Sequence, residues 1–444
     1  MNKKVGVMLL LALTVGFTAC GVRQYLDEVT FRVRPLDGGK SVEIVEVGLL
    51  SLDVLGENIG LGINQTVRIP ARLHGKPVSA IGDDVFKGKK IINVTIPKSV
   101  KIIGDGAFAD NMLTSVTVGK GVTTIGDGAF ADNMLTRVTI GNKVTSIGDG
   151  AFANNQLTSV KIPGKAEIGA EAFANNQLTS VTIGKGVTII GERAFYKNQL
   201  ASVTIPNSVT AIETEAFWEN QLTSVTLPNG LTAIGDWAFQ NNQLASVTIP
   251  NSVTEIGAGA FYENQIASIT LPNSVTIIGA EAFAKNPLTA VQIAADNPTY
   301  IIKNSFLLSS DEKLLVLYFG SEENVVIPDG TATIGAGAFS AKQIAGVTIP
   351  DSVIIIGNRA FRGNQLTSVE IPNGVTAIGD RAFQDNPLTS VTIGANAVLG
   401  NATFDGNFES QYVSNYYDWE SGRYISRRTA GTYIKRGNNS WARR

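Results

Sequence analysis

A β-rich solenoid of about thirteen coils of 22 residues, with short helical or 3₁₀ turns and a small β module capping each end, is the fold class this sequence predicts. Three observations predict it: a fixed repeat, strand-like alternation inside each copy, and a copy too small to stand alone.

The repeat is counted from an Ala-Phe pair that ends at Phe108, Phe130, Phe152, Phe173, Phe195, Phe217, Phe239, Phe261, Phe283, Phe339, Phe361 and Phe383. The step is 22 residues except for 21 before Phe173 and 56 before Phe339, and a Val-Phe at Phe86 adds a thirteenth copy. Self-similarity at such a period marks stacked supersecondary units. Asn220 to Asn241 serves as the type copy. Leu222, Val225 and Leu227 alternate with polar Ser224 and Thr226, the period-2 signature of a half-buried strand. Pro228-Asn229-Gly230 turns the chain, Leu231 to Ile234 begins a second extended run, and Gly235 ends it. Asp236 to Asn241 is too short for an independent helix and reads as one helical or 3₁₀ turn that drops Ala238 and Phe239 inward. Half a dozen buried apolar side chains contribute on the order of 10–15 kcal/mol, less than the cost of fixing 22 backbones at about 1–2 kcal/mol each. Each copy therefore needs neighbours on both sides.

In chain order, residues 1–19 read as an export signal: Lys3 and Lys4, an apolar Val5 to Phe17, then Thr18-Ala19. The apolar run is shorter than the ~20 residues a membrane span requires. Phe17-Thr18-Ala19-Cys20 resembles the lipobox of bacterial lipoproteins, with Phe17 where Leu is usual, and implies lipidation of Cys20; ordinary cleavage beside Ala19 is the other reading. Cys20 is the single cysteine, so no intrachain disulfide is expected. The formal net charge of −2 falls to −4 once Lys3 and Lys4 leave, which points to neither a polyanion nor a strongly acidic partner.

Residues 20–81 form the expected N-terminal β cap, with alternation at Thr30–Val33 and Ser41–Val47. Val67 to Ala80 already has the strand-turn-strand plan, with Gly75-Lys76-Pro77 as its turn. The solenoid is expected over residues 82–400, interrupted at about 295–327 by a hairpin whose strands are Tyr300 to Phe306 and Lys313 to Phe319. Tyr318 and its neighbours are recognition candidates there. Residues 401–444 are net basic and hold five of the ten tyrosines; they are expected to cap the last coil. The competing reading is an aromatic binding patch of Tyr416, Tyr417, Trp419 and Tyr424.

The strand half, Leu222-x-x-Val225-x-Leu227, looks like the start of a leucine-rich repeat. Together with the Pro-Asn turn, Ile-Gly and Ala-Phe it is similar to the BspA-like leucine-rich repeats of bacterial surface proteins, notably those of spirochaetes, over residues 67–395. The resemblance implies a monomeric, lipid-anchored outer-membrane protein, exposed at the cell surface. It also implies adhesin-like binding to a host or bacterial surface macromolecule, whether protein or glycan. A structural envelope lipoprotein without external ligand is the alternative.

Several columns are candidates for contact or framework. Asn111, Asn133, Asn155, Asn176, Asn198, Asn220, Asn242 and Asn264 recur three residues after the closing Phe, with Lys342 as the exception, and suit a structural ladder that satisfies backbone groups. Glycines after Ile, as at Gly104, Gly126 and Gly235, are expected at positive φ, and Glu213 breaks that column. Thr117, Thr139, Lys161, Thr182, Thr204, Thr226, Thr248, Thr270 and Glu370 line an outward strand column: either strand propensity or ligand contact. A flat ice-binding threonine face is the remote reading. Asp105, Asp127 and Asp149 align on one turn and Lys120, Lys143, Lys165 and Lys185 on the other; solvated faces suit both, with calcium a weak alternative for the acids.

The inventory points away from catalysis. One histidine, His74, and one cysteine leave triads, thiol nucleophiles and the usual zinc sites without parts. No phosphate-cradling glycine motif follows a strand, so no cofactor and no nucleic acid is expected. A carboxylate-pair hydrolase is a remote possibility that the acidic residues do not single out.

Overall fold

The computed structural model describes residues 29–49, 66–394, 396–404, 414–418, 423–427, 431–435 and 441–443. It is a β-solenoid. Each coil contributes two short parallel strands, as Ser224–Thr226 and Ala233–Ile234 do in the type copy. The second strand of every coil pairs in register with that of the next, from Lys76–Ile81 through Ile277–Ile278. The first strands pair in twos or threes, such as Ser202–Thr204 with Ser224–Thr226 and Ser246–Thr248 with Ser268–Leu271 and Ala290–Ile293.

Burial follows the alternation. Leu222, Leu231, Ile234, Ala238 and Phe239 are all buried, whereas Ser224 and Thr226 face out. The phenylalanines form a spine: successive rings from Phe86 to Phe283 lie 5.0–5.7 Å apart and within 11° of parallel. At that separation near-parallel rings are offset, the arrangement their quadrupoles favour. Phe404, 21 residues beyond Phe383, stacks on it at 5.3 Å, so the coil pattern extends four residues past the boundary read at 400.

The segment ending each coil is a pair of turns. In the second full coil Ala107 N donates to Gly104 O and Ala109 N to Gly106 O. Left-handed residues at Gly106 and Asp110 stop the chain from continuing as a helix. The glycine after Ile is not the left-handed one, contrary to expectation. Gly104 and Gly126 lack Cβ atoms for another reason: one built there would stand 2.8 and 2.7 Å from the backbone nitrogens of Asp83 and Asp105 in the preceding coil. The positive φ falls two residues later, at Gly106, Gly128, Gly150, Glu171, Arg193, Glu215 and Trp237.

At the amino end the hairpin of Val29–Leu36 and Ser41–Leu49 joins the long sheet through Lys76–Ile81. Thr66–Arg68 pairs with Asn93–Thr95, so the first coil begins inside the region read as cap. Its turn is His74-Gly75, both left-handed. At the carboxyl end Gly431–Lys435 adds antiparallel to Ser390–Ile393, with Trp441–Arg443 beside it and Tyr433 buried.

The insertion is a three-stranded meander, Tyr300–Lys303, Phe306–Ser309 and Leu314–Tyr318, rather than a two-stranded hairpin; left-handed Asn304 breaks the first expected run. Its alternation divides the hydrophobic core. Leu307, Leu317 and Phe319 pack with the first ten coils, and Phe306, Leu308, Leu315 and Tyr318 with the rest. Tyr318 stands in the spine 5.2 Å from Phe339, and the Tyr300 hydroxyl, accepting from Ile278 N and donating to Thr276 O, closes the long sheet's last edge. Across the gap Arg359 pairs with the buried Glu281 at 3.0 Å, passing over side-chain-free Gly337, and Lys342 Nζ donates to Leu288 O at 3.1 Å.

Replacing Phe217 by Ala removes a ring stacked on both sides. It is expected to cost about 3–5 kcal/mol, read as a lower urea midpoint. Burial pushes the Lys342 ammonium down to about 8. The lysine burial penalty is thus present below that pH and fades as pH rises from about 8 towards the unfolded value near 10.5. Urea titrations should show the parent gaining on the order of 3 kcal/mol relative to Lys342→Met over that window.

Candidate binding face

Two of the polar columns that recur at the repeat period are engaged between coils. Asn198 is typical: its amide nitrogen donates to Phe173 O, Phe195 O and Tyr196 O at 3.0, 3.1 and 3.3 Å, and its Oδ1 accepts from Leu178 N at 3.0 Å. Asn111, Asn133, Asn155, Asn176, Asn220, Asn242 and Asn264 are buried and repeat the pattern. The acidic column is likewise tied to backbone. Asp105 Oδ1 accepts from Asp127 N, Asp127 Oδ1 from Asp149 N and Asp149 Oδ1 from Ala170 N, at 2.7–2.8 Å. These carboxylates are exposed yet bound, which a solvated face does not describe. Among the described residues no group of three or more His, Cys, Asp or Glu is placed to hold a metal ion.

The outward strand column differs. Thr117, Thr139, Lys161, Thr182, Thr204, Thr226, Thr248, Thr270 and Glu370 are all exposed. Thr270 donates to Gln292 at 3.5 Å; the structure gives the other threonines of this set no side-chain bond. The first strands of successive coils pair with one another only in twos and threes, so the column is a series of short ladders and not one continuous flat array. Tyr416, Tyr417 and Tyr424 lie on the hairpin of Ser414–Asp418 and Arg423–Arg427, where Tyr417 is opposite Tyr424. Trp419 and Cys20 lie outside the described residues.

A second face was not singled out in the sequence. Two columns flank each spine phenylalanine. The position after it is Ala109, Ala131, Ala153 and Ala174 in early coils, but Tyr196, Trp218 and Tyr262 in the middle of the array. The position two before it is Gly in three early coils, then Glu171, Arg193, Glu215 and Trp237, each with φ between 52° and 58°. Residues with Cβ pay about 1–2 kcal/mol in that conformation. Asp84, Glu281, Arg359 and Arg381 hold the same position and conformation outside this stretch, so the side chains and not the backbone set it apart.

These residues form one ridge. Arg193 bonds Glu215 and lies 3.5 Å from Glu171; the Glu215 bond raises the guanidinium further above its ordinary range. Tyr196 and Trp218 rings meet at 4.9 Å, and the Trp237 and Tyr262 rings lie 5.7 Å apart in a T-shaped arrangement. Lys197 and Lys285 stand over Tyr196 and Tyr262 at 5.0 and 5.1 Å. Tyr196 and Trp218 are half-exposed, whereas Tyr262 is buried. Comparing equivalent positions column by column would have revealed the ridge, because its residues depart from Ala and Gly.

Asn198→Ala would orphan at least one buried amide and one carbonyl, with an expected loss of about 2–4 kcal/mol in chemical denaturation. Asn198→Asp should lose more at neutral pH, since a carboxylate faces three carbonyls, and the gap should narrow when the pH is lowered until that acid protonates.

Comparison with known proteins agrees with this geometry. Residues 79–201, 188–312 and 318–414 match the family described as BspA type Leucine rich repeat region (6 copies). No curated protein matches the chain. Among solved structures, a leucine-rich repeat protein from Bacteroides ovatus superposes with a TM-score of 0.52 at 21% identity, covering 85% of this chain and 90% of that one. A leucine-rich repeat protein from Eubacterium ventriosum is 29% identical over 48% of this chain and 59% of its own, TM-score 0.46. A leucine rich cell surface protein from Faecalibacterium prausnitzii is 25% identical over 83% of this chain and 88% of its own, TM-score 0.42. With three quarters of its length matched and the same strand, turn and spine in every coil, the chain belongs to the BspA-type leucine-rich repeat proteins.

Proposed function

We propose that this chain is a surface-anchored bacterial repeat protein that attaches to a protein or glycan on a host cell or a neighbouring bacterium, tethered through a lipid on Cys20. The observation that carries the reading is the ridge from Glu171 to Tyr262. There the array abandons Ala and Gly for aromatic and charged side chains. Half-exposed tyrosine and tryptophan beside arginine are the residue types that dominate binding energy at protein interfaces. Membership of a family typical of cell surfaces supports export. The exposed threonine column offers a second, more uniform surface.

The test has two arms. Purified chain should adhere to its target cells, and the double variant Tyr196→Ala, Trp218→Ala should weaken adhesion at least tenfold with an unchanged melting temperature. Adhesion indifferent to both substitutions rejects the ridge. Protease added to intact bacteria should remove the protein; protection until the envelope is breached rejects attachment in favour of a structural envelope role.

A further inference from the structure

The near-zero net charge conceals a steep division of charge over the early coils. Their strand-turn-strand portions are residues 91–104, 111–126, 133–148, 155–169 and 176–191. Lys98, Lys120, Lys143, Lys165 and Lys185 stand exposed on the turns, and the flanking strands and their ends add exposed Lys101, Arg137 and Lys161. Within these portions Glu167 is the only acid. Asp37 of the amino-terminal cap shares a shallow depression with Lys98, Lys101 and Lys143, and its carboxylate accepts the Ser41 hydroxyl at 2.9 Å. None of the eight basic side chains is ion-paired among the described residues. The balancing acids lie on the opposite turn, where Asp105, Asp127 and Asp149 bind backbone of the next coil. Beyond Asn198, the equivalent portions reverse sign with Glu213, Glu255, Asp329, Asp351 and Glu370, and half-buried Lys342 as their base.

We propose that this early basic face docks a linear polyanionic polysaccharide, laid along the coil axis with sulfate or carboxylate groups against the lysines. Tight packing sets the spacing. A Cβ on Gly121 or Gly186 would lie 2.0 or 1.9 Å from a carbonyl of the preceding turn, so these glycines keep successive turns close. At about 4.8 Å per coil the five turn lysines span roughly 20 Å. The basic groups wrap from one strand over the turn to the other. A bilayer plane would meet the turn row alone, whereas a flexible polymer reaches both flanks. The same portions contain no Phe, Tyr or Trp, so they offer no stacking platform for nucleobases. Lysine supplies mobile point charges, suited to repeated anionic groups without a fixed bidentate geometry. This surface is separate from the aromatic ridge, so its failure or success leaves attachment through the ridge to its own test.

The experiment uses the purified chain and immobilised heparin as the sulfated probe, with neutral dextran as the blank. Retention at about 0.15 M salt is expected, with affinity falling as salt rises. The variant Lys98→Gln, Lys120→Gln, Lys143→Gln, Lys185→Gln should bind at least tenfold more weakly with a shallower salt dependence. Removing the same charge elsewhere, by Lys87→Gln, Lys303→Gln, Lys313→Gln and Lys435→Gln, should change binding less than twofold; melting curves establish that both variants fold. Absence of retention, equal loss from the two sets, or tighter lysine-dependent binding to phosphatidylglycerol vesicles or duplex DNA than to heparin overturns the proposal.

Discussion

Everything in this array depends on satisfying buried backbone groups between one coil and the next. The short strands bond neighbouring coils, and the turns beside the spine do so as well, Phe108 N donating to Ala129 O and Asp110 N to Ala131 O, but among the described residues this ladder leaves out the carbonyls of the spine phenylalanines. The asparagine amide solves this: one group donates to carbonyls of its own and the preceding coil and accepts an amide of the latter. Because those backbone groups are buried, leaving them unpaired would be expensive. The framework is therefore fixed where coils touch and free to vary where they do not.

The insertion shows what happens when the register must be interrupted. A meander has two faces, and here each serves a different core, so the interruption is packed on both sides. The substitutions around it are chemical equivalents of the repeat parts they replace. Tyr318 takes a spine position, the Tyr300 hydroxyl stands in for a strand edge, and the Lys342 ammonium contacts a carbonyl where the column otherwise has an asparagine. Charge buried for this purpose is paired at Glu281 and Arg359, and unpaired but hydrogen-bonded at Lys342.

Function can then occupy what the framework leaves over. Columns tied to backbone, such as the asparagines and Asp105 to Asp149, have little freedom to contact a partner. The exposed threonine column, half-exposed Tyr196 and Trp218 of the ridge, and the lysine turns retain theirs. An elongated body of this kind presents several faces at once, and many modest contacts can sum along it.

The sequence by itself determined the solenoid. Period, alternation and the Ala-Phe pair report local constraints repeated in every copy, so strands, turns and spine were legible, as was the resemblance to the family. Three things were decided only by tertiary structure. Gly104 and Gly106 look alike in the chain, yet one lacks a side chain because a neighbouring coil lies against it and the other because its own φ is positive; that distinction exists only between stacked coils. Asp105 reads as a solvated acid until the amide of Asp127 is brought beside it. The ridge was present as departures from Ala and Gly, but its meaning depended on residues 22 apart becoming neighbours. The physical reason is common to all three: stacking turns sequence distance into contact, and what a side chain does is set by the coil next door.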